Sequence, residues 1–122
     1  MSLPPAVLEQ PLLNLLDNAL YHLKNRDWGR ITIDLQVDFS DAKTPIHINI
    51  SDNGSGMTAK EMDYAFTPRD TSKGREGTGM GLYVSRNLLQ AVGGELEIVK
   101  SIRWLGTHFR IRLPVRFKDM KD

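Results

Sequence analysis

Ile46-His47-Ile48-Asn49-Ile50-Ser51-Asp52 alternates apolar and polar residues and runs without a break into Asn53-Gly54-Ser55-Gly56-Met57. Side chains alternate across a strand, so the first part reads as a half-buried strand, with Asp52 standing where it runs out. Upstream, Ile31 to Phe39 alternates in the same way, and Ser40 to Pro45 between them is a polar turn. Two alternating segments joined by a short loop predict an antiparallel pair.

Working outward, Leu8, Leu12, Leu15, Leu16, Ala19, Leu20 and Leu23 recur at steps of three and four, which predicts an amphipathic helix from Val7 to about Leu23. Pro4-Pro5 sets an extended start, and Pro11 lies either near the first turn or at a kink. Asn25 to Gly29 reads as a stop and a turn. Beyond the glycines, Thr58 to Ala65 reads as a short helix, with Thr58 as N-cap and Glu61 at the capping-box spacing. Thr67 to Gly77 is polar and charged, the composition of a mobile loop. Gly81 to Val92 predicts a second amphipathic helix closed by Gly93-Gly94. Glu95 to Val99 and Thr107 to Val115 predict two more strands around a turn at Trp104-Leu105-Gly106. The order is helix, two strands, short helix, loop, helix, two strands. It predicts an α/β (α+β) two-layer sandwich with helices on one face of a mixed or antiparallel sheet.

The chain has 122 residues, which suits a single domain over 1–122. Met1-Ser2-Leu3 are left out of the fold argument, being as consistent with an expression remnant as with native sequence. Hydrophobic residues at 40% and charged residues at 25% exclude a disordered or fibrous chain. A formal net charge of +1 gives no global field toward nucleic acid or an anionic membrane. Cysteine is absent, which removes disulfides and thiolate metal sites and fits a reducing compartment. No apolar run approaches the ~20 residues needed to span a bilayer, and no signal-peptide pattern opens the chain.

Three groups of residues point to a nucleotide pocket. Asn14 and Asn18 stand one helical turn apart on one helix face. Such amides can bridge neighbouring backbone, and an amide oxygen is also a hard ligand for a Mg²⁺ ion shared with phosphates. Asp52-Asn53-Gly54 alone is a turn signal. With Gly56 added, the loop can lie flat against a planar ligand, while a buried carboxylate accepts a hydrogen bond from an exocyclic amine such as adenine's. Gly77-Thr78-Gly79-Met80-Gly81-Leu82 opens a helix, where free amides can meet phosphate; a flexible hinge is the plain alternative. It is not a P-loop, because no Lys-[Ser/Thr] closes it.

The motifs in this order resemble the catalytic, ATP-binding domain of bacterial two-component sensor histidine kinases, in the superfamily that also holds gyrase B, Hsp90 and MutL. Leu13-Asn14-Leu15-Leu16-Asp17-Asn18-Ala19 resembles the N box and Asp52-x-Gly54-x-Gly56-Met57 the first glycine box. Phe66-Thr67-Pro68 resembles the F box and Gly77 to Leu82 the second glycine box. Gly106-Thr107-His108-Phe109 with Leu113-Pro114 matches the closing strand. The resemblance implies the Bergerat ATP-binding fold, with ATP and Mg²⁺ as cofactors. It implies that Asn18 ligates Mg²⁺ with Asn14 beside it near the phosphates, that Asp52 binds the adenine amino group, and that Gly54, Gly56 and Met57 shape the adenine pocket. Thr107 is expected to assist through a water. Residues 66–77 are expected to form a lid, Gly77, Thr78, Gly79, Gly81 and Leu82 to lie at the phosphates, and Lys73 and Arg75 to reach the γ-phosphate. The partners it implies are a histidine-bearing dimerisation domain of the same kinase and, indirectly, a response regulator, with no nucleic acid and no direct membrane contact. The implied location is the cytoplasmic part of an inner-membrane sensor.

Some positions depart from the family pattern. The Lys-Tyr that often follows the metal-binding Asn is replaced by Tyr21-His22, with His22 or Lys24 as substitutes, and Arg69 follows Pro68 where Phe is common. The family's domain also begins a strand and part of a helix earlier, so an N-terminal truncation is expected to leave a sheet edge or apolar surface exposed. Relatives that hydrolyse ATP carry a Glu where this chain has Asn14, which cannot act as a base, and Glu9 lies too far back. A kinase that receives its nucleophile from elsewhere is therefore expected, and His22, His47 and His108 are unpersuasive phosphoacceptors. Two alternatives stay open: an anti-sigma-factor-type serine kinase, echoed by Asn18-Ala19-x-x-His22, and a degenerate partner-binding module.

Overall fold

The computed structural model describes residues 5–68 and 81–114. Their elements follow the expected order: α1 (Pro5–Leu23), β1 (Ile31–Val37), β2 (Ile46–Asp52), α2 (Ala59–Tyr64), α3 (Gly81–Gln90), β3 (Glu95–Ile102) and β4 (Gly106–Leu113). The strands form one sheet in the order β1-β2-β4-β3. Every described pairing is antiparallel, so the mixed sheet allowed by the sequence resolves to the antiparallel alternative.

Helix α1 continues through Pro11, whose ring is buried, so the proline is used for packing rather than as a stop. Helix α2 has the expected capping box: Glu61 N–H donates to Thr58 Oγ1 at 3.1 Å and Thr58 N–H to Glu61 Oε1 at 2.9 Å. Strand β1 ends at Val37, earlier than the alternation suggested. Asp38 N–H donates to the Pro45 carbonyl at 2.7 Å, and the Ser40 N–H caps Asp38 Oδ1 at 3.0 Å, which closes the turn before Phe39 can pair.

Register assigns the two faces. Ile50 pairs with Phe109 and Ile48 with Ile111, and across the next ladder Leu96 pairs with Ile111 and Ile98 with Phe109. These residues form the core with Leu15 of α1 and Leu82 and Leu89 of α3. The opposite face is polar and organised around Asn49, which is only 4% exposed. Asn49 Nδ2 donates to Asp34 Oδ1 at 2.9 Å and Gln36 Oε1 at 3.0 Å, while Oδ1 accepts from Arg110 Nε at 2.9 Å and lies 2.8 Å from His108 Nε2. Because that oxygen can only accept, His108 carries its proton on Nε2, and every polar atom of Asn49 is satisfied. His47 likewise has a partner, its Nε2 lying 3.0 Å from Asp41 Oδ2.

The helical layer stops short of β1. Ile33, Leu35 and Val37 share the apolar face through their pairing with Ile50, Ile48 and Ile46, yet they are half or more exposed. They form an exposed apolar stripe on an edge strand.

Candidate functional site

The site is built where the end of β2, the second half of α1 and the β3–β4 turn meet. Asp52 is the last residue of β2 and pairs with Ile31 on one side and Thr107 on the other. Its Oδ1 accepts the Gly54 N–H at 2.8 Å, the turn closure that Asp-x-Gly favours. Burial pushes the Asp52 carboxyl above its usual range, an effect opposed by the Gly54 N–H and by the nearby His22 and Arg26. This carboxylate is partly desolvated with one oxygen fixed by the Gly54 N–H, which suits an acceptor for a ligand's N–H.

The glycines are required by close approach. A Cβ on Gly54 would sit 2.7 Å from the His22 carbonyl oxygen, because the end of α1 lies directly over the loop. Gly56 has φ +66° and a Cβ there would sit 2.1 Å from the Ile102 carbonyl oxygen. Met57 is 6% exposed and belongs to the core, so the loop re-enters the fold immediately after its glycines.

Thr107 is 2% exposed. Its Oγ1 lies 2.8 Å from Ser101 Oγ, which in turn accepts the Met57 N–H at 2.9 Å. A bulge between Ile98 and Lys100 makes this possible, since it brings Ser101 opposite Thr107. Without that extra residue Lys100 would occupy the position. The bulge also carries β3 on to Ile102, past the expected end at Val99.

Asn18 is 4% exposed, on the face of α1 that leads to His22. Asn14 is committed to α3: its Nδ2 donates to the Gly81 carbonyl at 3.1 Å and to Ser85 Oγ at 2.8 Å, and its Oδ1 accepts from Gln10 at 3.0 Å. The N box thus meets the second glycine box physically, through Asn14 and Gly81. Leu82 is a core residue at 5% exposure. Phe66 packs against the core beneath the Arg86 guanidinium, 4.3 Å from its ring centroid, and Arg86 also donates to Glu95 Oε1 at 3.0 Å. Lys73, Arg75, Gly77, Thr78, Gly79 and most of the expected lid lie outside the described residues.

Several contributors had no sequence signal that singled them out. Ser101 depends on a bulge, and Arg26 and Trp104 lie in segments that read only as turns. His22 was noted as a family departure; its Nδ1 lies 2.8 Å from Ser55 Oγ.

Two helices on one face of an antiparallel sheet, with a recessed carboxylate, two close-approach glycines and an amide-bearing helix meeting a glycine-initiated one, define a nucleotide-binding α/β sandwich. The histidine kinase-, DNA gyrase B- and HSP90-like ATPase family matches residues 5–116, and the chain belongs to that family. It is 37% identical over 111 residues to the sensor histidine kinase ZraS of Salmonella typhi, which covers 91% of this chain and 22% of that protein. It is also 37% identical over 106 residues to the C4-dicarboxylate transport sensor protein DctB of Rhizobium meliloti, covering 87% of this chain and 16% of that one. The chain therefore spans roughly a fifth of these relatives' lengths. Among solved structures, the mycobacterial sensor histidine kinase MprB superposes with a TM-score of 0.73 at 27% identity, over 95% of this chain and 77% of that one.

Proposed function

We propose that this chain is the ATP-binding catalytic domain of a sensor histidine kinase. It would hold ATP with Mg²⁺ for transfer of the γ-phosphoryl group to a histidine on a separate dimerisation domain, from which a response regulator would be served. The observation that carries this reading is Asp52: a half-buried carboxylate, aimed by Gly54 and flanked by Thr107, at the position where the family resemblance puts the base.

In this reading Asp52 accepts the exocyclic amine of adenine, and the Gly54–Gly56 backbone lies against the ring. Thr107, fixed by Ser101, holds a water at the same edge. Asn18 supplies a hard amide oxygen from the neighbouring helix. Among the described residues no group of three His, Cys, Asp or Glu side chains could hold a cation by itself. A donor set of one amide oxygen fits Mg²⁺, which completes its shell with water and phosphate oxygens and, when bound, neutralises charge developing on them. Asn14 holds the start of α3 at the end of the second glycine box, and Lys73 of the lid is assigned to the γ-phosphate.

The chemistry is in-line phosphoryl transfer. An imidazole nitrogen forms a bond to the γ-phosphorus, the bond from that phosphorus to the β,γ-bridging oxygen breaks, and ADP leaves. Asn14 stands where a water-activating carboxylate would be needed for hydrolysis. The site therefore positions the nucleotide and leaves the nucleophile to a partner, a division suited to a reaction that is mostly positioning and charge neutralisation. Among the described residues no helix is long and apolar enough to cross a membrane.

Calorimetric titration with a non-hydrolysable ATP analogue, with and without Mg²⁺, tests the reading on wild type and Asp52→Ala. Saturable binding that Mg²⁺ strengthens and the substitution abolishes is expected. A folded wild type that does not bind, or a variant that binds equally well, would refute it.

A further inference from the structure

The first glycine loop is gripped from outside by groups that no nucleotide motif contains. Arg26, just past α1, turns its side chain back over the loop. Its Nη2 donates to the Gly54 carbonyl at 3.0 Å and also to the Trp104 carbonyl. Ser55 N–H donates to the His22 carbonyl at 3.1 Å, and Trp104 N–H donates to the Ser55 carbonyl at 2.7 Å. Trp104 holds φ at +70°, a left-handed conformation that a bulky side chain resists. Both of its backbone polar groups are engaged by this arrangement. Its indole, by contrast, is 64% exposed and lies under Arg103, whose guanidinium carbon is 4.1 Å from the ring centroid. The strain therefore serves the backbone contacts rather than the ring.

We infer that Arg26 is a positioning residue for base recognition, acting through Gly54 on Asp52. This rests on the reading that Asp52 receives an exocyclic amine. Gly54 donates its N–H to Asp52 and surrenders its carbonyl to Arg26, so one residue links the two. Glycine has the most permissive backbone in the chain, and its orientation has to be imposed by neighbours. Arg26 imposes it with a charged donor whose two Nη2 hydrogens tie the loop to the β3–β4 turn. Arg26 also lines an open cavity of about 270 Å³ beside the loop, with Tyr21, His22, Ser55 and Trp104 among its other walls. Remove the guanidinium, and the Gly54–Ser55 peptide keeps its Ser55 N–H bond to His22 but loses the charged donor on its carbonyl, so the loop that presents the Gly54 N–H to Asp52 is held less tightly.

The test compares binding of non-hydrolysable ATP and ITP analogues by calorimetry. The inosine base carries an oxygen in place of the amine, so wild type is expected to prefer ATP. Arg26→Ala is expected to weaken the ATP analogue about tenfold, the scale of a hydrogen bond to a charged group. It should also erase most of the base preference while leaving the strengthening by Mg²⁺ unchanged. Arg26→Lys should recover part of the preference. Trp104→Gly keeps both backbone groups and relieves φ, so it should keep the preference intact. An Arg26→Ala protein with full base preference, or with both nucleotides and the Mg²⁺ effect weakened alike, overturns the inference, as does loss of preference in Trp104→Gly. Should Arg26→Ala lose its folded circular dichroism, Arg26→Gln is judged by the same criteria. A wild type that binds neither analogue removes the reading of the site itself. A wild type that prefers ATP, beside an Arg26→Ala variant that keeps the full preference, removes this inference alone.

Discussion

Replacing Asp52 with asparagine separates the carboxylate's role in binding from its role in folding. The side chain keeps its size, and an amide oxygen can go on accepting the Gly54 N–H that now lies 2.8 Å from Oδ1. What disappears is the charge and one acceptor oxygen, replaced by an NH₂ that faces the amine of the base donor to donor. Losing one charge-assisted hydrogen bond costs about 1.5–3 kcal/mol, which is roughly a 10- to 100-fold rise in Kd for ATP.

Stability should move the other way. Burial raises the Asp52 carboxyl in the folded state above its ordinary 3.8. The folded protein therefore binds this proton more tightly than the unfolded chain does. That contribution to stability is complete below 3.8 and is lost as pH rises through the folded value, so at pH 7 an ionised, half-buried carboxylate weighs against the fold. Asp52→Asn is neutral at every pH. It should be at least as stable as wild type at pH 7, and flatter in stability across the window just above 3.8. Calorimetry on the ATP analogue and urea denaturation at several pH values give the two readouts. Unchanged affinity would refute the assignment of Asp52 to the base. A parallel fall in affinity and stability would show that the residue serves the fold.

Gly56→Ala forces a side chain onto a φ of +66° and against the Ile102 carbonyl, and is expected to cost about 2–5 kcal/mol in urea denaturation. Full stability would mean that the loop has room to shift. Leu96→Ala, at a position with 0% exposure, should cost about 2–5 kcal/mol, whereas Leu35→Ala, at 65%, should change stability by less than about 0.5 kcal/mol. Equal costs would contradict the layering of helices over the sheet. The His47 and Thr44 contacts hold the Asp41 carboxyl down to about 2 from 3.8, so its contribution is present above 3.8 and lost as pH falls through about 2. Asp41→Asn should flatten the acid limb of the stability profile in that window, and an unaltered limb would assign acid sensitivity elsewhere.

What the sequence made legible follows from how locally each feature is determined. Strand Ile46–Asp52 was readable to the residue because its alternation is uninterrupted, and the Thr58–Glu61 box because both halves lie in one turn. Strand β3 was cut short at Val99 because the bulge after Ile98 breaks the period of two. The purely antiparallel order β1-β2-β4-β3 depends on pairings between segments far apart in the chain, for which local pattern carries no signal. The candidate site divides in the same way. Asp52, Gly54 and Gly56 announce themselves by residue type and spacing. Arg26 and Ser101 act through a turn and a bulge whose shapes no short window encodes.

Asn14 shows why motif residues should be assigned roles by contact rather than by membership. It shares a helix face with Asn18, and spacing alone gives the two amides the same task. Their surroundings differ. Both polar atoms of Asn14 are committed, to Gln10 on its own helix and to Gly81 and Ser85 on α3, with Ser85 entirely buried. A carboxylate at this position would turn an acceptor toward the Gly81 carbonyl, replacing attraction with repulsion between two oxygens. The amide of Asn14 is therefore the group that joins the two helices carrying the N box and the end of the second glycine box. In this chain the nitrogen that fixes the start of α3 is also, on the function proposed above, what leaves the site without a base for water.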